Sequence, residues 1–232
     1  MMLNTPWGGT VVGHFQEFED EYLEMMFEFH ESEPGGVVRT GDLASSLEVS
    51  PASATEMVQR LAARGLLEYI PYKGARLTED GLAHGQKMKR RHRLAQVLLD
   101  MLPYNGNFYN TACRLEHAID DEMEIALSRL ISDETRDPNG RMIPDPTADI
   151  AERLSEQPPH VSLLGLADGS SGTLSIVLLP AEEAEILNQQ GFVVGASIKR
   201  DGHTFSLEGG AVAQLSDAVM KCIFVNIAND SA

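Results

Sequence analysis

Cys113, Glu116 and His117 fall within five residues, CRLEH. On a helix, positions i, i+3 and i+4 share one face, so this spacing predicts a thiol, a carboxylate and an imidazole converging on one point. Together they offer the sulfur, oxygen and nitrogen donors that bind divalent transition ions. Two further sets lie upstream: Glu21 and Glu24 at i, i+3 in an acidic run, and His92 with Gln96 four residues on. If Glu21, Glu24, Glu116 and a Cys113 thiolate met, their charges would total −4, a cluster that repels itself unless a divalent cation fills it. Each residue taken singly has a plainer reading. Glu21 and Glu24 suit a solvated acidic face, Cys113 a small buried hydrophobe, and His92 a surface position beside Arg90, Arg91 and Arg93. Their co-occurrence is what favours a metal site.

The elements that must position these residues can be read from apolar spacing. Phe15, Phe18, Tyr22, Met25, Met26 and Phe29 recur at intervals of three and four, predicting an amphipathic helix over 15–30 that ends at Pro34-Gly35-Gly36. Thr40 is placed to cap a helix over 41–47. Ser50 is placed to cap a second over 51–64, which opens on Pro51, where a missing N–H costs nothing. Two short helices joined by a three-residue turn form a helix-turn-helix. Strands over 66–70 and 75–78 around Pro71-Tyr72-Lys73-Gly74 then predict a β-wing.

A long helix over 78–102 carries the basic run Lys87 to Arg93, and a loop over 103–110 leads to one helix over 111–132. That helix would bury Leu115, Ile119, Met123, Ala126, Leu127, Leu130 and Ile131. The polar, proline-bearing stretch 133–149 reads as loop, and a short helix fits 149–156. Gln157-Pro158-Pro159-His160 reads as a linker, and residues 1–14 as frayed. Beyond the linker the period becomes strand-like over 161–166, 173–179, 195–199, 204–207 and 222–227, with one helix over 180–190. The fold expected is mainly α with a C-terminal β-barrel, in three parts: 1–77, 78–150 and 158–228.

Composition bounds the function. The 232 residues are 43% hydrophobic with only two cysteines, which suits a globular cytoplasmic protein and no disulfide framework. No run is long and apolar enough for a transmembrane helix, and the first fifteen residues lack the pattern of a secretory signal. The net charge of −17 is uneven: 1–35 carries eight acids and no Lys or Arg, 36–103 ten bases against seven acids, and the rest eight bases against twenty acids. Bulk charge opposes non-specific nucleic-acid binding, while the positive balance of 36–103 permits specific binding by the helix-turn-helix. The acidic, lysine-poor composition suits a high-salt cytoplasm or an ordinary acidic protein. No H-E-x-x-H, G-x-S-x-G or phosphate-cradling loop is present, so no enzyme is expected.

Three stretches carry a family resemblance: LASSLEVSPASATEMVQRLAARGLL, KRRHRLAQVLL and ACRLEHAIDDE. They make the chain similar, from Phe15 to about Pro144, to the diphtheria toxin repressor and manganese transport regulator family of metal-dependent repressors. Residues 161–228 resemble that family's SH3-like domain and small ferrous-transport accessory proteins. The resemblance implies a winged helix-turn-helix, a helical metal-binding and dimerisation domain, a homodimer, and repression of metal-uptake genes. It implies metal ligands at Cys113, Glu116 and His117, with Glu21 at the first-helix position that is Met in iron-sensing members and Asp in manganese-sensing ones. Glu24 matches a further carboxylate of the manganese members, and His92 an ancillary or second metal position. Gln96 stands where iron members have an ancillary carboxylate, and Tyr109 falls near their ancillary histidine, so that site is weakened or rebuilt, with His92 and Glu21 or Glu24. Donor chemistry favours Fe²⁺ or Mn²⁺ as the signal, with Zn²⁺, Co²⁺ or Ni²⁺ binding in vitro.

Operator contacts are expected from Ser53, Thr55, Glu56 and Arg60 on the outer face of the second helix. Arg39, Thr40, Ser50, Pro51, Tyr72, Lys73 and Arg76 are placed for backbone and wing contacts. The competing reading is a metal-independent winged-helix regulator that answers to a small organic ligand.

Overall fold

Apolar residues at spacings of three and four build α1, Val12–Ser32, whose buried face includes Tyr22, Leu23, Met26 and Phe27. The computed structural model describes residues 12–102, 104–131, 135–156 and 160–227, with side chains from residue 16. The readings made for residues 1–11, the Phe15 side chain, Pro103, 132–134, Gln157-Pro158-Pro159 and 228 lie outside the described residues. The chain divides into two compact units, Met1–Arg91 and His92–Ala232, with the boundary inside a helix.

In the N-terminal unit, α1 is followed by α2, Thr40–Ser46, and α3, Pro51–Ala63. Thr40 does not cap α2 as expected. Arg39 takes the cap position in extended conformation without a side-chain bond, and Thr40 is the first helical residue. Ser50 does cap α3, its hydroxyl accepting from the Ser53 N–H at 3.1 Å. Leu43, Ala44, Ala54, Val58 and Leu61 close the core against α1, whereas Met57 is only partly buried.

The wing follows as β1, Leu67–Ile70, and β2, Gly74–Leu77, paired antiparallel with Leu67 opposite Leu77. Val38 joins Ala75 through mutual backbone hydrogen bonds of 2.8 and 2.9 Å. Gly74 sits where this crossing is tightest. Its φ is 134°, and a Cβ there would lie 2.0 Å from the Val38 carbonyl oxygen.

A long helix, α4, runs Glu79–Met101, and the Thr78 hydroxyl caps it by accepting from Gly81 N–H at 3.1 Å. Gly85 lets α4 touch α1 backbone to backbone, since a Cβ there would lie 2.4 Å from the Leu23 carbonyl oxygen.

The second unit contains the end of α4 and two helices where one was expected over 111–132. α5 runs Phe108–Ala118, starting earlier than predicted because Asn107 caps it, accepting from Asn110 N–H at 3.0 Å. α6 runs Asp121–Leu130. The break at Ile119 and Asp120 has a local cause: Asp120 is extended, and its carboxylate accepts from Met123 N–H at 2.8 Å, starting a new helix. The restart resets the helical phase. Met123 and Ala126, expected inward, are exposed, and Glu124 is fully buried. Leu94, Val97, Leu99, Ala112, Ile119, Leu127 and Ile131 form this core.

Residues 135–147 are an ordered turn tied by the Arg136–Met142 bridge, and α7, Ala148–Ser155, follows. The remaining elements are β3 His160–Ser162, β4 Ser171–Val177, α8 Ala181–Gln189, β5 Ser197–Asp201, β6 Thr204–Leu207, β7 Val212–Gln214, α9 Asp217–Met220 and β8 Ile223–Asn226. They form one antiparallel sheet in the order β3-β8-β4-β5-β6-β7, which encloses its own core around Leu163, Leu174, Phe205 and Val225. The five strands expected are present with shifted ends; β7 and α9 are additional. The expected barrel is an open sheet among the described residues, with β3 and β7 at its edges.

Candidate metal centre and DNA-binding surface

α5 supplies most of the chemistry. Its 11 residues present Cys113, Glu116 and His117 at the predicted spacing, with Ala112 and Glu116 buried. From α4, His92 joins them. One ligand atom each from His92, Cys113 and Glu116 lies within 4.8 Å of the other two. Glu116 is 1% exposed and His92 3%. The Glu116 carboxylate reaches both imidazoles: Oε2 forms a short contact with His92 Nδ1, and Oε1 lies 3.5 Å from His117 Nε2. Tyr109 sets its ring edge-on to His92, centroids 5.9 Å apart. Gln96, one turn beyond His92, is 2% exposed, and its side-chain oxygen has no hydrogen-bond partner among the described residues.

These observations test whether the residues suit a metal. A buried carboxylate, a thiol and an imidazole within reach of one another form a mixed oxygen, sulfur and nitrogen donor set, which fits a divalent transition ion. Burying such polar groups is costly unless they are paired or ligate an ion. Sequence reasoning gave His92 an ancillary or second metal position; the structure places one of its ring nitrogens within reach of Cys113 and Glu116.

Glu21 and Glu24 belong to the N-terminal unit. Glu21 is exposed, whereas Glu24 is 9% exposed and paired to Lys89, with Nζ 2.9 Å from Oε1. Burial pulls the Lys89 ammonium toward neutrality, but the charges of Glu24 and Glu28 and their hydrogen bonds outweigh it, so its pKa lies above the ordinary lysine value. Lys89 was missed because it sits inside a basic run that reads as surface; only its place one turn beyond Gly85 hinted at a close crossing.

On the DNA-reading side, Ser50, Pro51, Ser53 and Glu56 are exposed at the start of α3. Thr55 turns its hydroxyl onto the Pro51 carbonyl at 2.8 Å. Arg60 lies against Met57 Sδ at 3.1 Å and Glu19 Oε1 at 3.3 Å, so it is held to α1 rather than extended outward. Tyr72 and Lys73 are exposed at the wing tip, Tyr72 with a positive φ of 63°. Arg76 makes two 2.7 Å contacts with Glu68 on the facing strand. Arg39 is exposed and Thr40 partly buried.

A winged helix-turn-helix followed by helices that carry a mixed-donor cluster defines a winged-helix protein with a candidate metal centre. The chain belongs to the iron-dependent repressor family: residues 14–75 match its N-terminal DNA binding domain, and residues 78–145 its metal binding and dimerisation domain. It is similar to the diphtheria toxin repressor of Corynebacterium efficiens, 29% identical over 216 residues, 88% of this chain and 93% of that protein. An HTH-type transcriptional regulator of Methanocaldococcus jannaschii is 34% identical over 112 residues, 47% of this chain and 86% of its own length. The transcriptional regulator MntR of Escherichia coli O157:H7 is 30% identical over 110 residues, covering 47% and 70%. Among solved structures, T. acidophilum IdeR aligns with 98% of this chain and all of its own, at 20% identity and a TM-score of 0.47.

Proposed function

We propose that the protein is a metal-activated transcriptional repressor that binds operator DNA as a homodimer in the cytoplasm, and that it is a regulator rather than an enzyme. The convergence of His92, Cys113 and Glu116 carries this reading. The metal ligands are drawn from Glu21, Glu24, His92, Cys113, Glu116 and His117, and the signal is Fe²⁺ or Mn²⁺. Zn²⁺, Co²⁺ and Ni²⁺ bind in vitro, as the Irving–Williams order requires. We assign DNA binding to 1–77, metal binding and dimerisation to 78–150, and an SH3-like domain to 158–228.

A bound divalent ion supplies the positive charge that offsets the carboxylates and the thiolate. Cys113, Glu116 and His117 share one face of α5, and His92 meets them from α4. Glu21 and Glu24 extend the ligand set to α1, which packs on the DNA-reading helices. In a dimer, two recognition helices then enter adjacent major grooves about 34 Å apart. Ser53, Thr55 and Glu56 face base edges, while Arg39, Thr40, Ser50, Pro51, Tyr72 and Lys73 serve the backbone and the groove flanks. Arg60 and Arg76 contribute once drawn from their acidic partners. A coupling of about 1–3 kcal/mol is enough for such a switch.

Titrating Mn²⁺ or Fe²⁺ into protein and labelled operator, with fluorescence anisotropy as readout, tests the reading. Wild-type affinity should rise by about 10-fold or more, and chelator should reverse it. Glu116→Gln and His117→Ala should remain folded and lose the response. A metal response that persists in both variants would exclude this centre.

A further inference from the structure

We propose that Glu19 occupies a phosphate-binding pair of arginines, Arg60 and Arg64, and that DNA must displace its carboxylate to seat a backbone phosphate there. The inference rests on the DNA-binding reading above and deepens it by naming the residue that holds this contact back. All three residues lie in the N-terminal unit, with Arg60 in the last turn of α3 and Arg64 at its C-cap. Glu19 Oε1 lies 3.3 Å from Arg60 Nε, and Oε2 meets Arg64 Nη1 in a short contact. The Glu19 side chain is 12% exposed, that of Arg60 38% and that of Arg64 53%.

Glu19 precedes Tyr22 and Leu23 by three and four residues, so it shares the face of α1 that packs into one core with Val58 and Leu61 of α3. That face turns its carboxylate toward α3 and largely out of water. Arg60 and Arg64 stand one turn apart and continue the stripe on α3 that begins with Ser53 and Glu56. The first residues of a recognition helix read base edges, which leaves cations near its end to the flanking phosphates. Two guanidinium groups at this spacing suit two oxygens of one phosphate. Glu19 already fills the pair with its two carboxylate oxygens. A phosphate seated there meets a like charge unless Glu19 gives way. Ion pairs as exposed as these are weak, so the exchange is feasible. Met57 Sδ accepts from Arg60 Nη2 at 3.1 Å, a contact within α3 that does not depend on Glu19. Glu19 is therefore a positioning residue: it touches no DNA and acts through the two arginines.

The test is fluorescence anisotropy of the full chain at saturating Mn²⁺ with a labelled mixed-sequence duplex, since a phosphate contact carries no sequence information. Glu19→Gln keeps a similar shape and removes the charge. Its affinity should rise by about fivefold, and the slope of log affinity against log salt should steepen by about 1. With Arg60→Ala and Arg64→Ala already in place, Glu19→Gln should change neither quantity. An unchanged or weaker affinity in folded Glu19→Gln overturns the proposal. So does a gain that survives without the two arginines, because it reports bulk charge alone. Labelling needs no variant. With phenylglyoxal and mass spectrometry, bound duplex should slow the modification of Arg64, and a rate indifferent to duplex also overturns the proposal. The wild type separates the two levels of inference. If it ignores the duplex even at low salt, the DNA-binding reading fails and this proposal falls with it. If it binds and Glu19→Gln matches it, only the role of Glu19 is overturned.

Discussion

Asp137 has no solvent-exposed side-chain surface, yet its carboxylate is fully engaged. Oδ1 accepts from the backbone N–H groups of Asn139 and Arg141, each at 2.9 Å, and Oδ2 accepts from Arg141 Nε at 2.8 Å. Burial alone would raise its pKa. The hydrogen bonds from Arg141, its positive charge and the Asn139 N–H outweigh that, so the folded value lies below the ordinary carboxylate range. A folded pKa below the unfolded one adds stability above about pH 4, lost as pH falls through the folded value. Asp137→Asn should therefore lower stability by about 1–3 kcal/mol near neutrality, read from urea midpoints. The gap between variant and wild type should close in acid; a gap of constant size would contradict the assigned pairing. The same residue scale explains why the α5 donor cluster was legible and the setting of Lys89 was not. Three different donor types at i, i+3 and i+4 form a pattern in one segment, whereas the partners of Lys89 lie about sixty residues away on another helix.

At the scale of elements, most of the N-terminal unit could be read in advance because its signals are local. Ser50 before Pro51, Gly65 after α3 and the Gly74 turn each mark an element end that the structure reproduces within a few residues. The α5–α6 region was misread because continuous apolar spacing from Leu115 to Ile131 hid the Asp120 cap. A capping aspartate inside a periodic run competes with the helix for backbone N–H groups, and here it prevails. Strand β7 went unseen since three residues carry too little alternation. The wing offers a sharp test. Gly74→Ala places a methyl group 2.0 Å from the Val38 carbonyl oxygen in a strained backbone region. It should destabilise the protein by about 2 kcal/mol or more, lowering the thermal midpoint. A variant as stable as the wild type would mean that the wing and the segment at Val38 separate easily.

For the whole molecule, the central question is how a chain of net charge −17 approaches a polyanion. The bases of 36–103 do not all face solvent. Lys89 and Arg90 are buried, and Arg60, Arg64 and Arg76 are matched to Glu19 or Glu68. Lys73 is exposed at the wing tip, where the proposed phosphate contact can be tested. Lys73→Ala should weaken binding to all sequences alike and reduce the slope of log affinity against log salt by about 1 for each phosphate that the ammonium neutralises. A slope equal to the wild type's would remove Lys73 from the interface.

The turn around Asp137 has a consequence for digestion. Arg136 and Arg141 are both trypsin cleavage points, but Arg136 donates to the Gly140 carbonyl at 2.6 Å, and Arg141 is clasped by Asp137. Backbone bonds from Asp137 N to Arg141 O and from Gly140 N to Asp137 O, both 2.8 Å, keep the peptide curled. A protease must pull such a segment straight before cutting it. Nicking at these two arginines thus reports the opening of the turn itself, and the intact protein carries its own gauge of local unfolding there.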